Sequence, residues 1–316
     1  MKYPYPPIHD PSLDHYIVNF NGHIGGPRDI AISPLDRGLL FGDSIYEVTR
    51  TYTGIPGHFP EHYERLVYSG KGLDLVFPFS FEQICDETKN TLQALYAKLG
   101  KRAEAYIRII VTRGIGEIGL DPKLSRGPNL LIIAKEFKGL DPEVYQNGVT
   151  LYLADTERNS KRSTDPNIKS GNYINNMRAY MEAKKAGAYE ALMLNGRGEV
   201  TEGTTSNVWL VKEGKVITPP IDAGLLSGIT RAKIIALALR HHIPVAEEKL
   251  VSNDFNKATE CFITSSTREL VSVNKIIFPS QTIVMPQCPG AMTSKLLHLY
   301  QQDLKQSLQA PLPFFT

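Results

Sequence analysis

The segment "YIRIIVTRGIGEIGLDPKLSRGPNLLIIAK", residues 106–135, carries a match to GxGxxG at Gly114–Gly119, directly behind a strand-like run. A dinucleotide-binding crossover would need a helix to begin at those glycines, with its N-terminus on a pyrophosphate, and an acidic residue about 20 positions further on. Here "LDPKLSRGP" follows, and then a second strand-like run, "NLLIIAK". A stretch of roughly ten residues holding Pro122 and Pro128 cannot form the crossover helix that a parallel strand pair requires. The glycines are therefore expected to shape a loop, one that overhangs a pocket, and a dinucleotide fold is not expected.

Outward from this segment, strand and helix signals are mixed. "YIVNFNGHIGG" alternates apolar residues and then places Asn21-Gly22, a pair suited to the positive φ of a hairpin turn. "PEHYERLVYSGKGLDL" reads as a helix with Pro60 in its first turn. In "SFEQICDETKNTLQALYAKLG", Ser80 and Gln83 suggest a capping box ahead of Ile84, Thr88, Leu92, Leu95 and Leu99 at helical spacing. The polar "EFKGLDPEVYQNG" is the best boundary, so domains at 1–140 and 149–316 joined by a link at 141–148 are expected. Beyond it, "GVTLYLADT", "YEALMLNGRGEVTEG" and "NVWLVKEGKVITP" read as strands, and helices are expected over 172–187, 229–241 and 290–305.

A chain of 316 residues, 42% hydrophobic and 22% charged, fits two folded domains of ordinary composition. Its net charge of +2 creates no field for nucleic acid or an acidic membrane, so a small-molecule partner is expected. "ERNSKRSTDP" has no interleaved aromatics and reads as a solvated loop. Cys85, Cys261 and Cys288 are far apart and unpaired in pattern, which suits a reducing compartment. The proline-containing start "MKYPYPPIHDP" is no signal peptide, and no run approaches the ~18 apolar residues of a membrane span. A cytoplasmic protein is expected. "HFPEH" matches a zinc pattern, but Pro60 divides it and leaves His58 outside the helix, so no metal is expected and His62 is assigned to a helix surface or interface.

One constellation survives. Lys169, in "DPNIKSGNY", stands between a Pro-containing loop and a helix start, beside small Ser170 and Gly171. Glu202 ends a strand in "EVTEGTTSNVWLV". Ser227-Gly228 precedes an apolar-periodic helix, whose N-terminus is an anion site. Ser265, Ser266 and Thr267 interrupt two strand-like runs with hydroxyl donors. An amine, an acid and a nest of donors are what pyridoxal 5′-phosphate requires for its aldehyde, ring nitrogen and phosphate.

"IKSGNY", "TEGTTSN", "SGITR" and "TSSTRE", in this order, together with "FGDSIYEVTRTYTG" and "EHYERL", resemble the fold-type IV pyridoxal-phosphate enzymes. These include branched-chain aminotransferases, D-amino acid aminotransferases and aminodeoxychorismate lyases, and the likeness runs from about residue 17 to about 300. The resemblance implies an α+β fold, with a smaller N-terminal α/β sandwich and a larger C-terminal domain built on a β pseudo-barrel. It implies a homodimer with sites near the subunit interface. It also implies that Lys169 forms the internal Schiff base and moves the proton, while Glu202 partners the pyridine nitrogen. Arg65 would clamp the phosphate bidentately, with Ile229, Thr230, Ser265 and Ser266 sharing its oxygens, Tyr173 on the phenolic oxygen and Leu226 on a ring face. Small neighbours would leave the lysine free to swing.

Substrate features point mainly one way. "YIRIIVTRG" resembles the branched-chain group, giving Arg108 a carboxylate, and Ile118 and Leu120 stand where the D-amino acid group has an arginine and a histidine. Phe41, in place of a usual tyrosine, together with Tyr46 and Thr267 would line the substrate pocket. "TTSN" leans toward the D-amino acid branch. The expected activity is transfer of an amino group between an apolar, branched-chain-type L-amino acid and a 2-oxo acid such as 2-oxoglutarate. The alternatives are a D-amino acid aminotransferase, a lyase and, more distantly, a non-catalytic cofactor-binding protein.

Overall fold

The computed structural model describes residues 11–309 and 315, in which strands and helices are sorted into two sheets with helices packed against them. The proline-containing stretch at the start, apart from its last residue, lies outside the described residues. Six strands form the first sheet: β1 (Tyr16–Phe20), β2 (His23–Gly25), β3 (Ser44–Tyr52), β4 (Ile55–Pro56), β5 (Ala105–Thr112) and β6 (Asn129–Glu136). Their order is β2-β1-β6-β5-β3-β4 and every pair is antiparallel. Asn21 and Gly22 turn the first hairpin at φ 52° and 86°, as the Asn-Gly pair requires.

Alternate residues of β5, Ala105, Ile107, Ile109 and Val111, point into a core shared with the helices α2 (Phe59–Gly72) and α3 (Phe81–Leu99), which follow the short α1 (Arg37–Phe41). The capping box is present: Ser80 Oγ accepts from the Gln83 amide at 3.2 Å, and Gln83 Oε1 accepts from the Ser80 amide at 2.8 Å. Pro60 lies in the first turn of α2, and His58 precedes the helix in a left-handed conformation at φ 50°. His62, expected on a helix surface or at an interface, is buried where α2 packs on β3, and its ring meets the Glu47 carboxylate.

The segment at 106–135 is an antiparallel hairpin, β5 pairing with β6 along its whole length. One 3₁₀ turn, Pro122–Leu124, stands where a dinucleotide fold would have a helix. Gly114 adopts φ 94°, and a Cβ there would run into the carbonyl of Gly127, so the glycine serves a tight loop.

Nine strands build the second sheet: β7 (Val149–Leu153), β8 (Glu190–Leu194), β9 (Val200–Gly203), β10 (Asn207–Lys212), β11 (Lys215–Thr218), β12 (Val245–Glu247), β13 (Glu260–Ser265), β14 (Glu269–Ile277) and β15 (Thr282–Val284). The order is β12-β11-β10-β13-β14-β7-β8-β9, with β15 on β14. Membership changes from one sheet to the other between β6 and β7, and the stretch read as a polar link contains a short helix, α4 (Pro142–Asn147), capped by Asp141. The three expected helices are α5 (Ile174–Lys185), α6 (Ile229–Arg240) and α7 (Ala291–Ser307). Strands β10 and β13 are buried on both faces. Trp209 stacks on Phe262 at 5.5 Å beneath α6 and α7, while Val208, Leu210 and Ile263 face a second core. That double covering explains why these strands read as continuous apolar runs.

Ser80→Ala removes one half of the box at the start of α3 and should lower stability by about 1 kcal/mol. Urea unfolding followed by far-UV circular dichroism measures this, and an unchanged midpoint would show that the cap is not formed.

Candidate active site

A cavity of about 400 Å³ opens between the two sheets and is walled by residues from both. The chain segment that carries Lys169 belongs to the second half in sequence but is stitched to β3 of the first sheet. The Tyr46 amide donates to the Lys169 carbonyl at 3.0 Å and the Gly171 amide donates to the Ser44 carbonyl at 2.7 Å. The Lys169 amide donates in turn to Ser69 Oγ at 3.1 Å. A Cβ on Gly171 would strike Ser44 Oγ. Gly171 therefore leaves room for the Ser44 side chain where this segment pairs with β3. The Lys169 ammonium lies 4.2 Å from the Tyr46 ring centroid and 6.0 Å from that of Tyr173. Burial, followed by the nearby Arg65 charge, brings the Lys169 pKa down to about 7.

Glu202, at the end of β9, is buried in the cavity wall. Its Oε1 accepts from Arg158 Nε at 2.9 Å, and its Oε2 accepts from the Leu226 amide at 3.1 Å. Asn207 reaches the same carboxylate at 3.5 Å and donates to the Leu226 carbonyl at 2.9 Å. Burial raises the Glu202 pKa against the pull of Arg158. Arg158 corrects the reading of "ERNSKRSTDP" as a solvated loop: Lys161 and Arg162 are exposed, but the Arg158 side chain is buried against Glu202. Charge pattern alone does not distinguish the one cation that faces inward, because its partner is 44 residues away.

The anion end of the cavity is formed by α6. Its first amides, at Ile229 and Thr230, have no partner within the helix, and the N-cap Gly228 offers no side chain. Thr230 Oγ1 and Ser206 Oγ are buried without a well-formed hydrogen bond, although the Tyr300 phenol is near enough to Thr230 to feel it. Ser265, Ser266 and Thr267 reach the same cavity from the turn between β13 and β14. Arg65 is there too, but in a different posture from the expected bidentate clamp. Its Nε and Nη2 already grip Glu47 at 2.7 and 2.8 Å, and Nη1 donates to the Ser227 carbonyl at 3.0 Å. A guanidinium has five N–H bonds, so two remain for an anion. Burial opposes the Glu47 charge, but Arg65 and His62 outweigh it and hold that carboxyl far below the usual range. Burial lowers the His62 pKa despite the opposing pull of Glu47.

Tyr46, Arg108, Tyr173 and Leu226 also line the cavity. Arg108 lies 4.0 Å over the Tyr46 ring, Tyr46 meets Tyr173 edge-on at 5.7 Å, and the Tyr173 hydroxyl donates to the Thr204 carbonyl at 3.2 Å. Phe41 lies outside this chain's cavity. It ends α1 beneath Arg37, 5.0 Å from that guanidinium, and contributes no wall. The 114–120 loop does not overhang this chain's cavity either, and its Ile118 and Leu120 are exposed.

Sequence reasoning assigned no role to Glu47, Glu190 or Arg268. Glu190 is buried and accepts from Arg268 Nη1 at 2.7 Å and from the Thr204 and Thr205 hydroxyls at 3.1 Å each. Arg268 also donates to Ser265 Oγ at 2.9 Å, so this pair ties the turn after β9 to the turn after β13. Glu47 and Arg268 lie inside the motifs "FGDSIYEVTRTYTG" and "TSSTRE", but only packing reveals which charges pair.

Comparison with known proteins gives the class. The family model described as amino-transferase class IV matches residues 44–276. A putative branched-chain-amino-acid aminotransferase of Methanocaldococcus jannaschii is 35% identical over 88% of this chain and 93% of its own. A D-alanine aminotransferase of Bacillus licheniformis is 31% identical over 91% of this chain and 96% of its own. The solved branched-chain aminotransferase of Thermoproteus uzoniensis with norvaline superposes with a TM-score of 0.83 at 26% identity, covering 95% of this chain and 98% of that one. Another solved branched-chain amino acid aminotransferase, with a TM-score of 0.79 at 26% identity, holds pyridoxamine 5′-phosphate. The chain belongs to the class IV aminotransferases. It is a fold-type IV enzyme, and its cofactor is pyridoxal 5′-phosphate. The cavity fits that group: an amine of lowered pKa, a buried carboxylate, and a helix N-terminus with two underused hydroxyls are present in one enclosure.

An unfolded lysine titrates near 10.4, so between about pH 7 and pH 10 the unfolded chain binds a proton that Lys169 in the fold does not. As far as this group is concerned, the cofactor-free protein gains stability as pH rises through that window and bears the full burial penalty below it. Lys169→Met should therefore stabilise the cofactor-free protein at pH 6, with the gain fading toward pH 10. Equal effects at both ends, measured by urea unfolding, would show that the amine is not depressed.

Proposed function

We propose that this enzyme moves the amino group between an apolar L-amino acid of branched-chain type and a 2-oxo acid such as 2-oxoglutarate. The observation that carries this reading is the line Arg108, Tyr46, Lys169. A cation stacked on an aromatic face stands beside the amine of lowered pKa, where a substrate carboxylate can be held while the amine acts on the neighbouring carbon. Val48, Tyr106 and Leu140 supply apolar wall for a side chain on the same part of the cavity. Ile118 and Leu120 supply no cation for a D-amino acid carboxylate.

When bound, pyridoxal 5′-phosphate supplies an electron sink for the carbon that carries the amino group. Lys169 would hold its aldehyde carbon and, once released, carry the proton on Nζ; a pKa near 7 lets that nitrogen both accept and return a proton. Glu202, fixed by Arg158 and the Leu226 amide, would hold a proton at the ring nitrogen. Tyr173 would meet the phenolic oxygen and Leu226 a ring face. The phosphate would take the amides of Ile229 and Thr230, the Thr230 hydroxyl, Ser265, Ser266 and the free N–H bonds of Arg65. Thr267, Tyr46 and Arg108 would orient substrate.

A homodimer completes this reading. Ile118 and Leu120 are exposed at 75% and 82%, and Ile174, Met177 and Met181 form an apolar stripe on α5 beside the cavity, which suits coverage by a second copy.

The test is single turnover of the cofactor-loaded enzyme with L- and D-amino acids, followed by cofactor absorbance. L-Leucine or L-isoleucine should react at least tenfold faster than D-alanine, and the reverse order would move the enzyme to the D-amino acid branch. Pyruvate release from aminodeoxychorismate without an amino acceptor would make it a lyase. Arg108→Gln should raise KM for both substrates by about 10- to 100-fold, the worth of a charge-assisted hydrogen bond.

A further inference from the structure

Arg50 and Glu269 lie outside the cavity walls, yet they meet where the two sheets touch. Glu269 is the first residue of β14 and directly follows the turn that presents Ser265, Ser266 and Thr267 to the cavity. It is buried and held at φ 59°, a left-handed conformation that residues with side chains rarely adopt. Such a residue persists where its surroundings fix it. Here both carboxylate oxygens are engaged: Oε1 pairs with Arg50 from β3, and Oε2 accepts from Gln301 of α7 at 2.8 Å. Arg50 is itself confined, with its guanidinium 4.3 Å from the Tyr52 ring and 4.9 Å from the Phe137 ring.

The residue before it is Arg268, whose side chain donates to Ser265 within the same turn and ties the turn to Glu190 and Thr205. The Arg268 carbonyl accepts from the Tyr145 hydroxyl at 3.2 Å. Glu269 is the ladder partner of Ser265 across this turn, so a shift of its side chain on loss of Arg50 bears directly on Ser265 and, through Arg268, on the residues between them. A buried ion pair adds little net stability over apolar substitutes, so stability alone gives a weak reason for Arg50 to be there. We infer that Arg50 is a positioning residue: through Glu269 it sets the Ser265–Thr267 turn, and the first sheet thereby controls how tightly the second half grips the phosphate group of the cofactor. This rests on the assignment of Ser265 and Ser266 to the phosphate in the proposed function.

The experiment titrates cofactor-free wild type, Arg50→Met, Arg50→Lys and Glu269→Gln with pyridoxal 5′-phosphate and, separately, with pyridoxal, which has the same ring and aldehyde but no phosphate. Arg50→Met should weaken the phosphorylated ligand at least tenfold and change pyridoxal less than twofold. Arg50→Lys, which keeps the charge, should recover part of the loss, and Arg50→Met combined with Glu269→Gln should be no worse than the stronger single variant. Equal weakening of both ligands would mean that the pair merely supports the fold, and no weakening of either would mean that the turn does not depend on it; each overturns the inference. Should Arg50→Met fail to fold, Glu269→Gln, which keeps the volume and a partner for Gln301, decides by the same two ratios. Wild type that takes up no pyridoxal 5′-phosphate, or carries it on a lysine other than Lys169 after borohydride reduction, overturns the proposed function itself and is separable from the other outcomes.

Discussion

The short backbone pairing between residues 169–171 and the start of β3 is the constraint on which the site depends. Two hydrogen bonds, from the Tyr46 amide to the Lys169 carbonyl and from the Gly171 amide to the Ser44 carbonyl, fasten a loop of the second half onto the first sheet. Without them Lys169 would be an exposed loop lysine with an ordinary pKa. With them its amine is withdrawn from water and set beside Tyr46, within the field of Arg65. The cavity exists because this loop crosses between the sheets, and its floor and roof are drawn from strands that never pair with one another.

Around that amine the charges are arranged in three buried or nearly buried pairs: Glu47 with Arg65, Glu202 with Arg158, and Glu190 with Arg268. Each removes two ions from water, which costs several kcal/mol per ion before their attraction offsets it. The three pairs do not share a task. Arg65 brings Glu47 to the helix N-terminus at α6, Arg158 orients the carboxylate that faces the cavity, and Arg268 ties two turns together. Because each is close to neutral as a unit, the unbalanced positive character of the cavity is left to Lys169, Arg108 and the amides of α6, where an anionic cofactor and a substrate carboxylate would be received.

The buried polar hydroxyls fit the same logic. Thr230 and Ser206 sit in the cavity wall with their hydrogen-bonding capacity underused, whereas the neighbouring hydroxyls of Thr204 and Thr205 are tied to Glu190. An unsatisfied buried hydroxyl is costly in isolation. It is tolerable where a ligand completes it, which is the condition met beside a helix N-terminus.

Local rules were sufficient for the elements. Asn21-Gly22 turns a hairpin, Ser80 and Gln83 cap α3, Pro60 opens α2, and the two prolines after "GIGEIG" forbid a crossover helix; each depends on residues within a few positions of one another. The ordered motifs also picked out Lys169, Glu202, Tyr173, Thr230 and Ser266, and these line one cavity. Pairing over long distances was not legible. Whether Arg65 offers its fork to an anion or to Glu47, whether Arg158 faces solvent or Glu202, why Gly171 is small, and where Phe41 lies depend on which surfaces meet when the two sheets close. Sequence specifies side chains and their nearest neighbours through backbone sterics and periodicity; the partners of buried charges are chosen by packing across tens or hundreds of residues, and that choice exists only in the tertiary structure.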